Sequence, residues 1–311
     1  MPAAISTAHA QNDVFPSKPL RVIVPFAPGG SADLNARMLA PKMGEMLGQQ
    51  LIVDNRAGAS GNIGSEMVAR AAPDGYNLLL NSLPFVVNPL IFGRAPYHPV
   101  NDFFPVSIVS SSPSIVTVHP SVPVSNIREL LALARSKPGA LNYASAGIGT
   151  NPHVAGELFN QLGKVNLVAV HFKGGGPGLM AAMSGEVSAT FTNSAETSGF
   201  VRAKKLKALA ITSVKRAPAF QEIPTVAESG LPNYEFMTWF VLAAPQKTPR
   251  AIVMQLNDAL RKSLSAPELS RMFAERALDI VVNSPDAAVD FLKRENERWG
   301  RLVKERGLKA E

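Results

Sequence analysis

Two short runs of this chain combine residues that could grip an anion. Pro25-Phe-Ala-Pro-Gly-Gly-Ser-Ala-Asp33 follows an apolar stretch and leads into a helical pattern that begins at Ser31, with Asp33 in the first turn. A strand stopped by prolines and glycines and followed at once by a helix leaves backbone N–H groups projecting from the helix N-terminus. There the orphan donors and the helix dipole act together on negative charge. Ala144-Ser-Ala-Gly-Ile-Gly-Thr150 repeats the arrangement about half a chain later. The pair implies one ligand held between two lobes, with Gly30 and Ser31 contributed by the first run and Ser145, Gly147, Gly149 and Thr150 by the second. Asp33 reads best as a first-turn helix residue whose charge discourages a second anion nearby or meets a ligand amine.

Other polar residues fall where ligands of open α/β sheets bind, at the C-terminal ends of expected strands. Ser82 and Asn193 offer neutral hydrogen bonds there, and Lys173-Gly174 offers a cation before a glycine run. Lys173 is equally well read as a solvated loop charge. His153 lies on the first turn of the helix that follows the second loop, where it could bond a carboxylate or brace its own loop. Ser145 and His153 could also be nucleophile and base of a hydrolase, the alternative reading, but no acid is placed to orient the histidine. The carboxylates show no paired spacing. The five histidines show no metal-ligand spacing, and there is no cysteine, so disulfides, thiolate nucleophiles and Cys-ligated zinc are excluded. Gly58-Ala-Ser-Gly-Asn-Ile-Gly64 has the spacing G-x-x-G-x-x-G, not that of the dinucleotide fingerprint, and is read as a structural turn. No metal and no cofactor are expected.

The elements that must position these residues read β-α-β-α-β at the start: strands over 20–24, 51–53 and 76–80, helices over 31–47 and 61–71. Such alternation predicts a parallel sheet covered on both faces. A long β-branched stretch over 102–118, broken by Pro105 and Pro113, is expected to cross to a second lobe. That lobe opens with a helix capped by Ser125 and continues with strands over 141–144, 167–170, 187–191 and 207–211 and helices over 152–162 and 176–183. A second crossover is expected over 236–243, and helices over 249–263, 267–276 and 285–306 are expected to return to the first lobe. The division is therefore 13–114 plus 238–311 for lobe 1 and 115–237 for lobe 2.

The length of 311 residues fits two such lobes. Hydrophobic residues make up 46% and charged residues 18%, enough apolar surface for a sizeable core. The net charge of +7 is scattered, without a basic stripe interleaved with aromatics, which argues against nucleic acid and leaves a mild pull on acidic small molecules. No apolar run reaches spanning length. Ala8-His-Ala10 has the form of a signal-peptidase site, so 1–10 is expected to be the residue of a signal peptide with cleavage near Ala10, the mature chain working outside the cytoplasm.

Several motifs recur in a familiar order: Pro25 to Asp33 as quoted, Asp54-Asn-Arg-Ala-Gly58, Pro73-Asp-Gly-Tyr76, Ser145-Ala-Gly-Ile-Gly-Thr150 with His153, Phe172-Lys-Gly174, Ile223-Pro-Thr225 with Glu228 and Gly230, and Trp239 with Ala244-Pro245. Together they resemble the Bug-type solute receptors, the substrate-binding proteins of tripartite tricarboxylate transporters. The resemblance covers nearly all of the chain. It implies a periplasmic, non-enzymatic, monomeric receptor with two α/β lobes of periplasmic-binding-protein type, joined by crossing hinge strands and closing like a Venus flytrap on a small di- or tricarboxylate, aromatic acid or acidic amino acid. It implies that the loops from Phe26 and Ala27 to Asp33 and from Ser145 to His153 clamp the carboxylates, partly through ordered water. The implied partners are the permease subunits of such a transporter or a sensor kinase. Asn77, where threonine is frequent, and His171-Phe172, where Pro-Tyr is common, depart from the pattern.

Overall fold

The computed structural model describes residues 15–93 and 95–309. The expected signal-peptide remnant and its cleavage site lie outside the described residues. The chain opens with β1 (Leu20–Val24), α1 (Ser31–Leu47), β2 (Leu51–Asn55), α2 (Asn62–Ala69), β3 (Asn77–Asn81) and α3 (Pro84–Ile91). The long β4 (Phe103–Val118) follows, then α4 (Ile127–Ser136), β5 (Asn142–Ser145), α5 (Asn151–Gly163), β6 (Val168–His171), α6 (Gly175–Ser184), β7 (Ala189–Asn193), α7 (Ser194–Arg202) and β8 (Lys207–Ile211). The return carries β9 (Met237–Pro245), α8 (Arg250–Leu264), α9 (Pro267–Ala274), β10 (Asp279–Ile280) and α10 (Pro285–Arg306).

The strands run in the order β2-β1-β3-β9-β4-β7-β5-β6, with β8 and β10 also paired to β4. The sheet is mixed rather than purely parallel. β1 pairs in parallel with β2 and β3, and β5 with β6 and β7, as the β-α-β spacing requires. The centre is antiparallel, because β9 returns beside both β3 and β4. β4 itself changes partners along its length. Residues 103–113 pair with β9, and residues 114–118 pair with β7 and β8. It is continuous despite two prolines. Pro105 sits at a register shift, where a missing N–H breaks no regular rung, and Pro113 occupies the last rung with β9. The second passage between the sheet halves occurs at Phe236–Met237: the Phe236 N–H donates to Thr212, just past β8, and β9 begins with the next residue.

Three helices differ from the sequence expectation, and the two-residue β10 is an addition to it. α3 contains two prolines and β-branched residues, yet Pro84 stands at its first positions, where no N–H is needed, and Phe85, Val86 and Val87 are fully buried, so packing overrides propensity. α7 is built from small polar residues and forms because Asn193 caps the Ala195 N–H and Thr197 Oγ1 donates back to Asn193 O. The cap of α4 is Asn126 rather than Ser125. Asn126 accepts from the Glu129 N–H, and the Glu129 carboxylate accepts from the Ser125 N–H at 2.6 Å, a reciprocal capping box.

α10 does not return simply to the first sheet half. Asp286 at its start pairs with Arg250 of α8, whereas Arg306 at its end makes two bonds of 3.0 and 2.7 Å to Glu157 of α5. Midway, the buried Glu295 accepts from the indole N–H of both Trp299 and Trp239, the latter on β9. A single apolar cluster accordingly runs from Phe85 and Trp239 through Trp299 to Phe159 and Phe191. α10 is thus a brace across both halves behind the crossing strands.

Candidate ligand cleft

The parallel strands on both sides point their C-terminal ends toward one cleft that remains partly open to solvent. Its walls come from the β1–α1 loop (Phe26, Ala27, Pro28, Gly30, Ser31, Ala32), from Ser82 and Pro84 after β3, from Ala146, Thr150, Asn151 and Pro152 around the start of α5, from Gly174, Gly175, Gly176 and Pro177 at the start of α6, and from Thr192, Asn193 and Glu196 around the start of α7. The two loops singled out in the sequence therefore share a cavity. Among the described residues, no lysine, arginine or histidine lines it.

Helices α1, α5 and α6 begin on this cleft, as do α3 and the Asn193-capped α7, and none of the first three has its first-turn N–H groups capped by the side chain of its own N-cap residue, Gly30, Thr150 and Gly174 respectively. Pro152 and Pro177 occupy first-turn positions, where proline costs no hydrogen bond and presets the helical φ. With first-turn donors of α5 and α6 and three dipoles directed at one cleft, the site can hold negatively charged oxygens without a formal cation.

The two walls already touch. The Ser31 N–H donates to Glu196 Oε1 at 2.7 Å, and Asn151 Nδ2 donates to Ser82 Oγ at 3.0 Å. Glycine permits the approach elsewhere: a Cβ on Gly174 would stand 3.7 Å from that of Ala27, and one on Gly147 would stand 3.0 Å from Ser60 Oγ.

Of the residues expected from sequence, Phe26, Ala27, Gly30, Ser31, Ser82, Thr150, Gly174 and Asn193 line the cleft. Asn193 is also committed to structure, donating to Ser112 Oγ while its Oδ1 caps α7. Asp33, Ser145, Gly147, Gly149, His153 and Lys173 are not on the cleft wall, and most of them build the loops that are. Asp33 accepts from the Gly29 N–H, from Arg37 and from Asn55. Burial opposes its charge, but these bonds outweigh burial and hold the carboxyl below its ordinary value. Ser145 Oγ donates to Gly147 O and also meets His171 Nδ1 at 3.0 Å. Thr150 Oγ1 donates to Gly147 O, and the Gly149 N–H donates to His153 Nδ1 at 3.0 Å. Burial, with a smaller effect of the neighbouring His171, lowers the His153 pKa to about 4. The ring is therefore neutral, with its proton on Nε2, because Nδ1 accepts. Lys173 is exposed.

This geometry corrects the hydrolase reading. Ser145 bonds to Gly147 and His171, not to His153, and His153 Nδ1 is occupied by a backbone donor, so the two residues do not form a nucleophile–base pair. Gly58-x-x-Gly-x-x-Gly64 is a packing device. A Cβ on Gly61 would press on the Phe26 ring at 3.1 Å, and one on Gly64 would lie 2.9 Å from Arg56 O. Asn77 sits at the start of β3, the end away from the cleft.

Sequence reasoning missed Asn151 and Glu196. Asn151 immediately follows a residue that was singled out. Glu196 lies three residues after Asn193, and the helix that carries it into the cleft was not anticipated.

The comparisons with known proteins agree on the family. The family model described as "Tripartite tricarboxylate transporter family receptor" matches residues 35–308. A curated relative, the "UPF0065 protein in tcbD-tcbE intergenic region" of Pseudomonas sp. (strain P51), is 38% identical over 306 residues, covering 98% of this chain and 91% of that protein. Among solved structures, Rpa4515 of R. palustris with adipate is 32% identical with a TM-score of 0.92, over 95% of this chain and 99% of that one. MatC (Rpa3494) from Rhodopseudomonas palustris with bound malate is 31% identical with a TM-score of 0.88, over 93% and 100% of the two chains.

Proposed function

This chain belongs to the tripartite tricarboxylate transporter receptor family, whose members are non-enzymatic solute-binding proteins, and from that premise we propose that it is a periplasmic receptor that holds a small carboxylate in the cleft between its two lobes. The lobes are residues 13–114 plus 238–311 and residues 115–237. They turn about the crossing points in β4 and at Phe236–Met237 and hand the ligand to permease subunits or to a sensor. The observation that carries this reading is the convergence of three helix N-termini, uncapped by their N-cap side chains, on one cleft whose lining, among the described residues, holds no cationic side chain. Oriented backbone amides cost little reorganisation, and water can fill the space left by ligands of different length. Closure removes solvent and strengthens each charge-assisted bond. The relatives whose structures hold adipate and malate support the same ligand chemistry.

The test is a thermal-unfolding panel of di- and tricarboxylates, aromatic acids and acidic amino acids, with malate and adipate among them. A ligand present at 100 times its Kd stabilises the folded state by about 2.7 kcal/mol. A melting temperature unmoved by every member at millimolar concentration would sink the proposal.

A further inference from the structure

The walls of the cleft meet through their own groups. The Ser31 N–H, in the first turn of α1, donates to Glu196 Oε1 on α7 at 2.7 Å, and the two residues fall in different lobes of the division given above. The other carboxylate oxygen, Oε2, is shut away from solvent without a hydrogen-bond partner. Among the described residues no lysine, arginine or histidine comes within ion-pair distance of Glu196. Gly175 of α6 makes room for the carboxylate, since a Cβ there would collide with Oε2. Behind this contact each wall is pinned to the same strand. Asn35 Nδ2 donates to Ser31 O at 2.9 Å, and Asn35 Oδ1 accepts from Ser110 Oγ of β4 at 2.8 Å. Asn193 Nδ2 donates to Ser112 Oγ of β4 at 2.6 Å, and Asn193 Oδ1 caps α7, which carries Glu196. Asn35, Asn193 and both serines are buried. The two anchors lie just before the point where β4 changes partners. A hydrogen-bonded circuit thus runs from the crossing strand up one wall, across the cleft and down the other.

The links of this circuit are not equally easy to break. Asn35 and Asn193 bond inside the core, where an opened bond leaves an unsatisfied polar group. The Ser31–Glu196 bond spans the cleft. When the walls part, water replaces the bond at both ends and also reaches Oε2. Stripping Oε2 of water opposes closure, whereas the charge-assisted bond from Ser31 favours it. A contact with two such opposing contributions can hold and can let go. Resting on the receptor reading above, we propose that Ser31 and Glu196 form a clasp: it keeps the walls together in the unliganded protein, and it is the link that gives way when the lobes turn about β4 to admit ligand. Glu196 is then a positioning residue for the cleft rather than a contact to the ligand.

The chain has no cysteine, so Met67→Cys on α2 and Met180→Cys on α6, both exposed and in different lobes, take a pair of spin labels whose distance distribution reports opening. The labelled full chain without ligand is expected to show mainly the distance set by this structure. Glu196→Ala in that background is expected to raise the ratio of longer to shorter distances at least fivefold. Gly175→Ala, which displaces the carboxylate without removing it, is expected to do the same, and the two together no more than either alone. A distribution that is mainly long before either change overturns the clasp. An unchanged ratio in Glu196→Ala overturns it too, as do effects of the two substitutions that multiply in full. If one variant does not fold, the other and the parent distribution decide. The receptor reading is judged separately by the carboxylate panel: a panel that binds beside an unresponsive Glu196→Ala removes only the clasp, and a panel without effect beside a responsive one removes only the receptor.

Discussion

The loop between β1 and α1 is braced by charge. Asp33 gathers the Gly29 N–H, the Arg37 guanidinium and the Asn55 amide, and Asn55 also holds Phe26 O at 3.1 Å. The loop between β5 and α5 faces it across the same cleft and is braced without formal charge, by Ser145, Thr150 and an unprotonated His153. Their surroundings differ as well. Gly29 has open space where a Cβ would go, whereas a Cβ on Gly149 would stand 2.5 Å from Asn88 Oδ1 and 3.3 Å from Ile91 Cδ1. Two loops with the same outward task, presenting amides to a ligand, thus have different weak points. One depends on a carboxylate, the other on a close fit and a neutral ring.

The largest expected effect follows from the fit. Both glycines have positive φ, +86° at Gly29 and +75° at Gly149, so alanine at either position strains the backbone. Gly29→Ala is expected to cost about 1 kcal/mol from that strain alone. Gly149→Ala adds a collision in a filled space and is expected to cost about 3 kcal/mol. Urea unfolding of the two variants measures the gap, and equal losses would mean that the second loop yields as easily as the first.

Acid should separate the loops next. His153 is held at about 4, below the 6.5 of a free histidine, so the unfolded chain takes up its proton first as pH falls. The stability contributed by the neutral ring is full above pH 6.5, declines between 6.5 and about 4, and then levels off. Between pH 7 and pH 5 this amounts to about 2 kcal/mol, and the physical event is loss of the acceptor for the Gly149 N–H. Asp33 has its pKa lowered from 3.8, so its contribution is full above 3.8 and is lost only as pH falls below that value. His153→Asn is therefore expected to reduce the slope of the stability profile between pH 7 and 5, burial of His171 supplying what remains, and Asp33→Asn to alter it only below about 4. A slope in the His153 variant as steep as in the wild type would remove the distinction between the loops.

How much of this was legible in the sequence follows from range. The alternating β-α-β units, both loops and the first-turn positions of α1 and α5 come from local signals: apolar spacing, Gly-Pro punctuation and strand ends. The antiparallel centre was not legible, because the pairing of β9 with β3 and β4 joins segments more than a hundred residues apart and leaves no local mark. α3 and α7 were not legible either, since burial and side-chain capping create them against poor helical propensity. The same reason hid Glu196, whose position in the cleft depends on α7. For Ser145, His153 and Asp33 the sequence identified the right loops, but could not distinguish a residue that faces the ligand from one that shapes the loop behind it. That difference depends on side-chain direction.

The smallest effect sharpens the comparison through what the loops share. Neither loop sends a cation to the cleft. Arg37 is spent on Asp33, and Lys173, although next to the lining residue Gly174, is exposed to solvent. If oriented amides hold the carboxylate, removing the lysine charge should act only through the screened long-range field. Lys173→Ala is expected to change carboxylate affinity by less than about twofold and stability by less than about 0.5 kcal/mol. Calorimetry at low and at physiological salt measures both the size and the origin of any change. A tenfold loss that persists at high salt would mean that Lys173 reaches the bound anion directly. The second wall would then work by charge after all, through the β6–α6 connection rather than through the loop that His153 braces.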